Sequence, residues 1–288
     1  MWHAGAGFER LRFVHQPVPR YPAGMIRHIR ACNTATLPGH RLAFHIGATP
    51  VGWITQDLAA TLAAFPGVHR SPAGVTLTDG AGLQRIARGL ADRGLFRWRD
   101  EAFDVRAAPN TPALARIDRG ALPVFGIQAE GVHVNGLVRR ADGLHIWVAR
   151  RAVNKALDPG KLDHIVAGGT PAGLTAMQTL IKEAAEEAAI PEALAAKAVK
   201  VAEISYAMDR PEGLRRDLLH CYDLALPEDF IPHAADGEVE AFELWPIARV
   251  IETVRRTDDF KFNVNLVLID LFVRLGVVEA SAGDGVLF

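Results

Sequence analysis

The sequence predicts an α/β chain in two parts, a smaller α+β N-terminal domain followed by a larger α/β domain. Three observations carry this reading. In the first third, short apolar runs punctuated by Pro and Gly alternate with stretches of helical periodicity. Further on, VFGIQAEGVHVNGLVRR and LHIWVARR flank Asp142-Gly143, the hairpin signature of two apolar runs around a turn-forming pair. Beyond the hairpin, KLDHIVAGG, a Gly-rich loop and TAMQTLIKEAAEEAAI follow one another as strand, loop and carboxylate-bearing helix.

Taken in order, LAFHIG, VGWI and GVTLT read as strands, while QDLAATLAAF and LQRIARGLADRGL carry apolar residues at helical spacing. WRDEAFDVR reads as a closing strand pair. AAPNTPALARIDRGALP holds Pro109, Pro112 and Pro123 around a short helix, and the domain boundary is placed in or just after it. This divides the chain into residues 1–120 and 121–288. In the long helix, Met177, Ile181, Ala184 and Ala188 form an apolar stripe that faces a core and leaves the glutamates on a flank. Alanine-rich ALAAKAVKVA reads as helix, CYDLALP and VEAFELWPI as strands, and FNVNLVLIDLFVRLG as a terminal amphipathic helix.

Composition narrows the function. With 288 residues and a formal net charge of −1, the chain has core enough for globular domains and lacks the basic footprint of a nucleic-acid binder. Cys32 and Cys221 lie far apart and outside any zinc-ligand spacing, which fits a reducing compartment. MWHAGAGFERLRF has no signal-peptide core, and NVNLVLIDLFVRLGVV is interrupted by Asp270 and Arg274, so no membrane span and a cytoplasmic location are expected.

The octet IKEAAEEA gathers Glu183, Glu186 and Glu187 beside Lys182. Offsets of three and four residues put like charges on neighbouring positions of one helix, which costs a few tenths of a kcal/mol per pair unless a cation intervenes. A solvated helix face and a divalent-cation site are both open on these residues alone. A strand-ending loop that lends carbonyl oxygen, followed by a helix that lends carboxylates, suits magnesium or manganese. GGTPAG lacks the Lys-Ser/Thr of a phosphate-binding P-loop and the context of a dinucleotide fold.

GGTPAGLTAMQTLIKEAAEEAAI resembles the Nudix box, G-x5-E-x7-R-E-U-x-E-E-x-G-U with U aliphatic. Counted from Gly168, Glu183, Ala184, Glu186, Glu187 and Ile190 match the pattern. Leu174 stands where it has glutamate, Lys182 where it has arginine, and Ala189 where it has glycine. A one-residue gap leaves Ala167 and Gly168 both open as the carbonyl-donating position. GVHVNGLV, LHIWVARR, PGKLDHIVAGG, DGEVEAF, FKFNVNLVLIDLFVRLG, FHIGATPVGWI and WRDEAFDVR extend the likeness over nearly the whole chain. They are similar to a Nudix branch with a DUF4743-type N-terminal domain, which is associated with thiamine diphosphate metabolism.

That resemblance implies a Nudix α/β/α sandwich with a mixed sheet and hydrolysis of an organic diphosphate. The branch substrates are thiamine diphosphate and its damaged oxy and oxo analogues, cleaved to the monophosphate and phosphate. An ADP-ribose type substrate and a non-catalytic binding module are the alternatives. Gly168, Glu183, Glu186 and Glu187 would hold Mg2+ or Mn2+, with Lys182 beside them. Glu238 and Glu240 are the candidate general bases, Glu238 preferred because Asp236-Gly237 marks a turn. Substrate contacts are expected from Arg150, Arg151, Lys161, His133, Asn135 and Lys261; only one of the two adjacent arginines can face a cleft. Trp53, Trp147 and Trp245 are candidates for ring stacking or for core. The N-terminal domain is left with three roles: covering the cleft, selecting substrate or forming a homodimer.

Overall fold

The computed structural model describes residues 24–155, 157–234 and 237–277. The chain opens with helix α1 (Ile26–Cys32), then β1 (Leu42–Ile46), β2 (Thr49–Ile54), α2 (Gln56–Leu62), β3 (Val68–Ser71), β4 (Gly74–Leu77) and α3 (Leu83–Ala91). The four strands form one sheet in the order β2-β1-β4-β3. Leu58, Leu62, Ile86 and Leu90 from the two helices pack with Phe44, Ile54, Val75 and Leu77 from the strands.

A two-stranded sheet follows, β5 (Ala102–Val105) paired with β6 (Ala115–Asp118), and then the short helix α4 (Leu122–Phe125). WRDEAFDVR therefore supplies one strand, not a pair. Its partner comes from the proline-bearing stretch, where Ala115–Asp118 is extended and the helix starts only at Leu122. Phe103 and Ile117 face each other across this pair and enter the N-terminal core, which favours strand over helix there.

The second domain is built on a seven-stranded mixed sheet: β7 (Gln128–Arg140), β8 (Gly143–Arg151), β9 (Leu162–His164), β10 (Val166–Gly169), β11 (Val199–Arg210), β12 (Gly213–Ala225) and β13 (Val239–Pro246). Its helices are α5 (Ala176–Ala188), α6 (Glu192–Ala195), α7 (Ile247–Arg256) and α8 (Val264–Arg274). The path runs β11-β12-β7-β8-β13; β7 and β12 are parallel and the other pairs antiparallel.

Alternation along the strands makes two cores. Ile146, Val148, Leu219 and Cys221 face α7 and α8, whereas Trp147, Tyr222, Val132 and Val134 face α5. Helix, sheet and helix layers result. Helix α1 joins the α8 side through Met25, Ile29 and Cys32, so the chain crosses from one domain to the other twice.

Three local readings shift. The hairpin pairs Arg140 with Gly143, so Ala141-Asp142 forms the two-residue turn and Gly143, at φ 130°, opens β8. KLDHIVAGG is two short strands: β7 and β8 pair only from Gly136/Trp147 to the turn, and where they part β9 lies on β8 and β10 on β7. Ile165 lies between the two, so close to Gly136 that a Cβ there would be 2.8 Å from its Cγ2. The alanine-rich stretch gives only α6 before β11 begins at Val199, because pairing with β12 over twelve residues outweighs alanine's helical preference.

Candidate active site

Where β7 and β8 part, the end of β10 meets Glu183 and Glu187 of α5. Helix α5 begins at Thr175, whose hydroxyl accepts from the Gln178 N–H at 3.2 Å while the Gln178 side chain accepts from the Thr175 N–H at 2.9 Å. That reciprocal cap fixes the helix immediately after the Gly-rich loop. The face it buries is rotated from the expected stripe. Leu180, Ala184, Glu187 and Ala188 are buried, while Met177 and Ile181 are only partly covered.

Glu187 is thus inside, at 8 % exposure, not on a flank. Its Oε2 accepts from the Ala167 N–H at 2.9 Å. Burial, with Asp163, Glu183 and Glu238 nearby, pushes its carboxyl well above the usual range despite that hydrogen bond. Glu183 is also raised, chiefly by burial. Its side chain occupies the space over Gly168: a Cβ built there would lie 2.5 Å from Glu183 Cδ. Glu186 is half exposed.

Lys182 lies between them, 3.2 Å from Glu183 and 2.5 Å from Glu186. Burial works against its charge, but the two carboxylates outweigh it and hold its pKa above the usual value. The three glutamates do not form a group of converging ligand atoms; Lys182 draws two of them to itself. Among the described residues, the group with ligand atoms within 4.8 Å of one another is His133, Asp163 and His164. Asp163 there is already bonded to Arg151 at 2.7 Å and lies 3.6 Å from Lys261. Burial opposes its ionisation, yet Lys261 and its neighbours hold its carboxyl far below the usual range.

A small recess of about 10 Å³, roughly the space of one water or ion, is lined by Arg151, Asp163, His164, Ala167, Glu187 and Glu238. The carboxylates of Asp163, Glu187 and Glu238 around this recess are oxygen donors of the kind a hard cation takes. The residues fit a divalent ion.

His164 was legible in the sequence only as part of a strand. Its Nδ1 is 3.0 Å from His133 Nδ1, and its Nε2 is buried without a partner. The chain of contacts continues from His133 Nε2 to Asn263 Nδ2 at 3.5 Å, from Asn263 to the Tyr206 hydroxyl at 3.5 Å, and from Tyr206 to Asp217, which Arg215 binds at 2.8 Å. With Asn263 donating, His133 accepts at Nε2 and donates from Nδ1, which leaves the proton of His164 on Nε2. Burial lowers both imidazoles, His164 to about 4 and His133 well below the ordinary value. Both are neutral at pH 7.

The remaining expected residues divide. Arg151 and Glu238 line the recess; Glu238 is also paired with Lys155. Lys261 reaches Asp163. Arg150 turns to the Gly160 carbonyl at 3.3 Å, Lys161 to the Asp258 carbonyl, and Glu240 accepts from the Val153 N–H at 3.3 Å. Asn135 donates to Asp223 at 2.8 Å on the α8 face, and His133 is on that face as well. Asn263, at the start of α8, makes no side-chain cap. Trp147 and Trp245 are core, and Trp53 lies in β2 of the other domain. The Asp236-Gly237 turn falls partly on Asp236, outside the described residues.

A strand, a loop that admits a carboxylate at Gly168 and a capped helix of glutamates are the features of a Nudix domain, and the family description "NUDIX domain" matches residues 130–265. Residues 24–129 match a domain of unknown function, DUF4743. The chain therefore carries a Nudix domain behind a DUF4743 domain. It is 43% identical over 198 residues to Nudix hydrolase 20, chloroplastic, of Arabidopsis thaliana, covering 68% of this chain and 53% of that one. Nudix hydrolase 24, chloroplastic, of the same plant is 43% identical over 201 residues, 69% of this chain and 55% of that one. The chain spans about half the length of these curated relatives. A solved structure, DR0079 from Deinococcus radiodurans, aligns at 20% identity over 64% of this chain and 94% of that chain, with a TM-score of 0.40.

Proposed function

We propose that this chain hydrolyses an organic diphosphate with the help of Mg2+ or Mn2+, and that thiamine diphosphate or its oxy and oxo analogues are the substrates, giving the monophosphate and phosphate. The observation that carries the reading is Glu187: a carboxylate buried with Glu183 and Glu238 around it, disfavoured as an ion until a cation joins it. Glu183, Glu186, Glu187 and the backbone at Gly168 would hold the ion. A bound ion would offset the diphosphate charge and acidify a water.

The chain's own residues do the rest. Lys182, paired with Glu183 and Glu186, would give up both carboxylates to a bound ion and would stay beside the phosphates as a cation. Arg151 and Lys261 keep Asp163 ionised, so that its carboxylate would be available to the metal as an oxygen donor. Glu238 receives the proton of the attacking water, with Lys155 orienting its carboxylate. Neutral His164 would donate from Nε2 to a water or phosphate oxygen entering the recess, its tautomer set through His133 and Asn263.

Division of the chain near residue 120 is part of the same reading, supported by the start of the large sheet at Gln128. Both cysteines are free and buried, which supports a reducing compartment. The cytoplasm is our proposal, although both plant relatives are named chloroplastic. Among the described residues no helix is long and apolar enough to cross a membrane.

Product analysis tests the reading. Purified protein with magnesium is given oxythiamine diphosphate, thiamine diphosphate and ADP-ribose, and products are resolved by chromatography. Monophosphate from the thiamine compounds is expected; turnover of ADP-ribose alone moves the substrate to nucleoside diphosphates, and no turnover of any leaves a binding module.

A further inference from the structure

We propose that the pocket between the two domains binds the organic half of the diphosphate as a flat nitrogen heteroaromatic ring, and that the N-terminal domain thereby selects substrate. The inference rests on the hydrolase reading for the diphosphate half alone. The pocket has a volume of about 290 Å³, at the small end of ligand sites. Phe103, Asp104, Arg106 and Asn110 come from the N-terminal domain; Glu130, Thr170 and His220 stand opposite.

Position links it to the carboxylates. Thr170 follows Gly168 by two residues, so at roughly 3.3 Å per residue the pocket begins about 7 Å from the Gly168–Glu183 contact. That is the separation between a reacting phosphate and the group esterified to its neighbour. The wall is also fixed in place. The Ala172 N–H donates to the Ala102 carbonyl at 2.8 Å, and the Gly173 N–H to Asp104 Oδ2 at 2.9 Å. Phe103 lies so close over Gly169 that a Cβ there would be 2.6 Å from its ring. The box loop is shaped by the N-terminal domain.

The lining favours a ring over a second phosphate. Arg106 is bonded to Asp104 at 2.7 Å and Lys200 to Glu203 at 2.5 Å, so the cations are already matched. Leu174, standing where the Nudix pattern has a carboxylate, adds an apolar wall with Phe103 and Pro171. Thr170 Oγ1 is buried without a partner, and a buried hydroxyl left so costs on the order of 1–3 kcal/mol unless something bonds it. Turned toward the pocket that its residue lines, that hydroxyl would bond a ring nitrogen or amino group whose faces meet the apolar walls.

Calorimetric binding of thiamine monophosphate, AMP and inorganic phosphate, each with magnesium, tests this on the full chain. At least one ring-bearing probe should bind more tightly than phosphate. Thr170→Val, which removes a hydroxyl that bonds nothing in the protein, should weaken that probe roughly fivefold or more. Ala176→Phe, which fills the pocket from the start of α5, should abolish the gain and leave phosphate binding as it was. Ring-bearing probes that bind no better than phosphate, or that bind both variants as well as wild type, overturn the proposal. Hydrolysis followed in parallel separates the two readings: cleavage of methyl diphosphate as fast as the ring-bearing diphosphates overturns the pocket and keeps the hydrolase. Ring binding lost in Ala176→Phe, with no diphosphate cleaved, supports the pocket and sinks the hydrolase.

Discussion

The side chain of Glu183 lies in the space that any Cβ at position 168 would need, with Cδ 2.5 Å and Cγ 2.6 Å from it. Gly168 is therefore a seat for a carboxylate. Gly168→Ala should displace Glu183 and weaken Mn2+ binding at least tenfold, while the melting temperature falls by a few degrees, as expected for about 1–3 kcal/mol of overpacking. Manganese titration followed by electron paramagnetic resonance checks this; unchanged affinity would mean that Glu183 is not a ligand.

Lys182 competes with the ion for Glu183 and Glu186. Replacing it with methionine should raise the affinity for Mn2+ severalfold and, with one cation fewer beside the phosphates, raise the KM for a diphosphate. Calorimetry of the ion alone reads the first effect. Weaker ion binding in Lys182→Met would show that the lysine positions the carboxylates instead of withholding them.

Ala189 ends α5 in the left-handed conformation, φ 52° and ψ 34°, where the Nudix pattern has glycine. A side chain there costs roughly 1–2 kcal/mol in strain, partly offset because glycine gives the unfolded chain more freedom. Ala189→Gly should gain up to about 1 kcal/mol without changing activity, measured by urea unfolding. A loss of stability would contradict the strain argument.

His133 and His164 are buried and neutral, with pKa values below the ordinary histidine value. In the unfolded chain they bind protons below about pH 6.5. The stability they allow is present above that pH and is lost as pH falls toward about 4, the value to which His164 is lowered. His164→Gln should flatten this part of the stability profile between pH 6.5 and 4. An identical slope in the variant would show that His164 already carries a proton in the folded protein.

Helical spacing alone put Glu183, Glu186 and Glu187 on neighbouring positions, and the likeness to the Nudix box proposed a role for them. What the periodicity misplaced was the buried face. Apolar counting selects Met177 and Ile181, but Leu180, Ala184 and Glu187 are inside, since hydropathy gives no sign that a glutamate will be buried against Ala167. Strand alternation explains the pocket. His133 and Asn135 share the α8 face, whereas Glu130 and His220 point to α5, and no single-strand pattern says which face meets the other domain. His164 stood beside Asp163 just before the paired glycines. That buried histidine-aspartate pair was the available signal, and its meaning depends on His133, thirty-one residues away.

The most direct test of the account is the magnesium-dependent release of phosphate from oxythiamine diphosphate by wild type and by Glu187→Gln at equal, saturating magnesium. The account predicts turnover in the wild type and a loss of at least a hundredfold, about 2.7 kcal/mol of transition-state stabilisation, in a variant that remains folded. Equal turnover by the two proteins would contradict it, because Glu187 could then be neither a ligand of the ion nor part of the site.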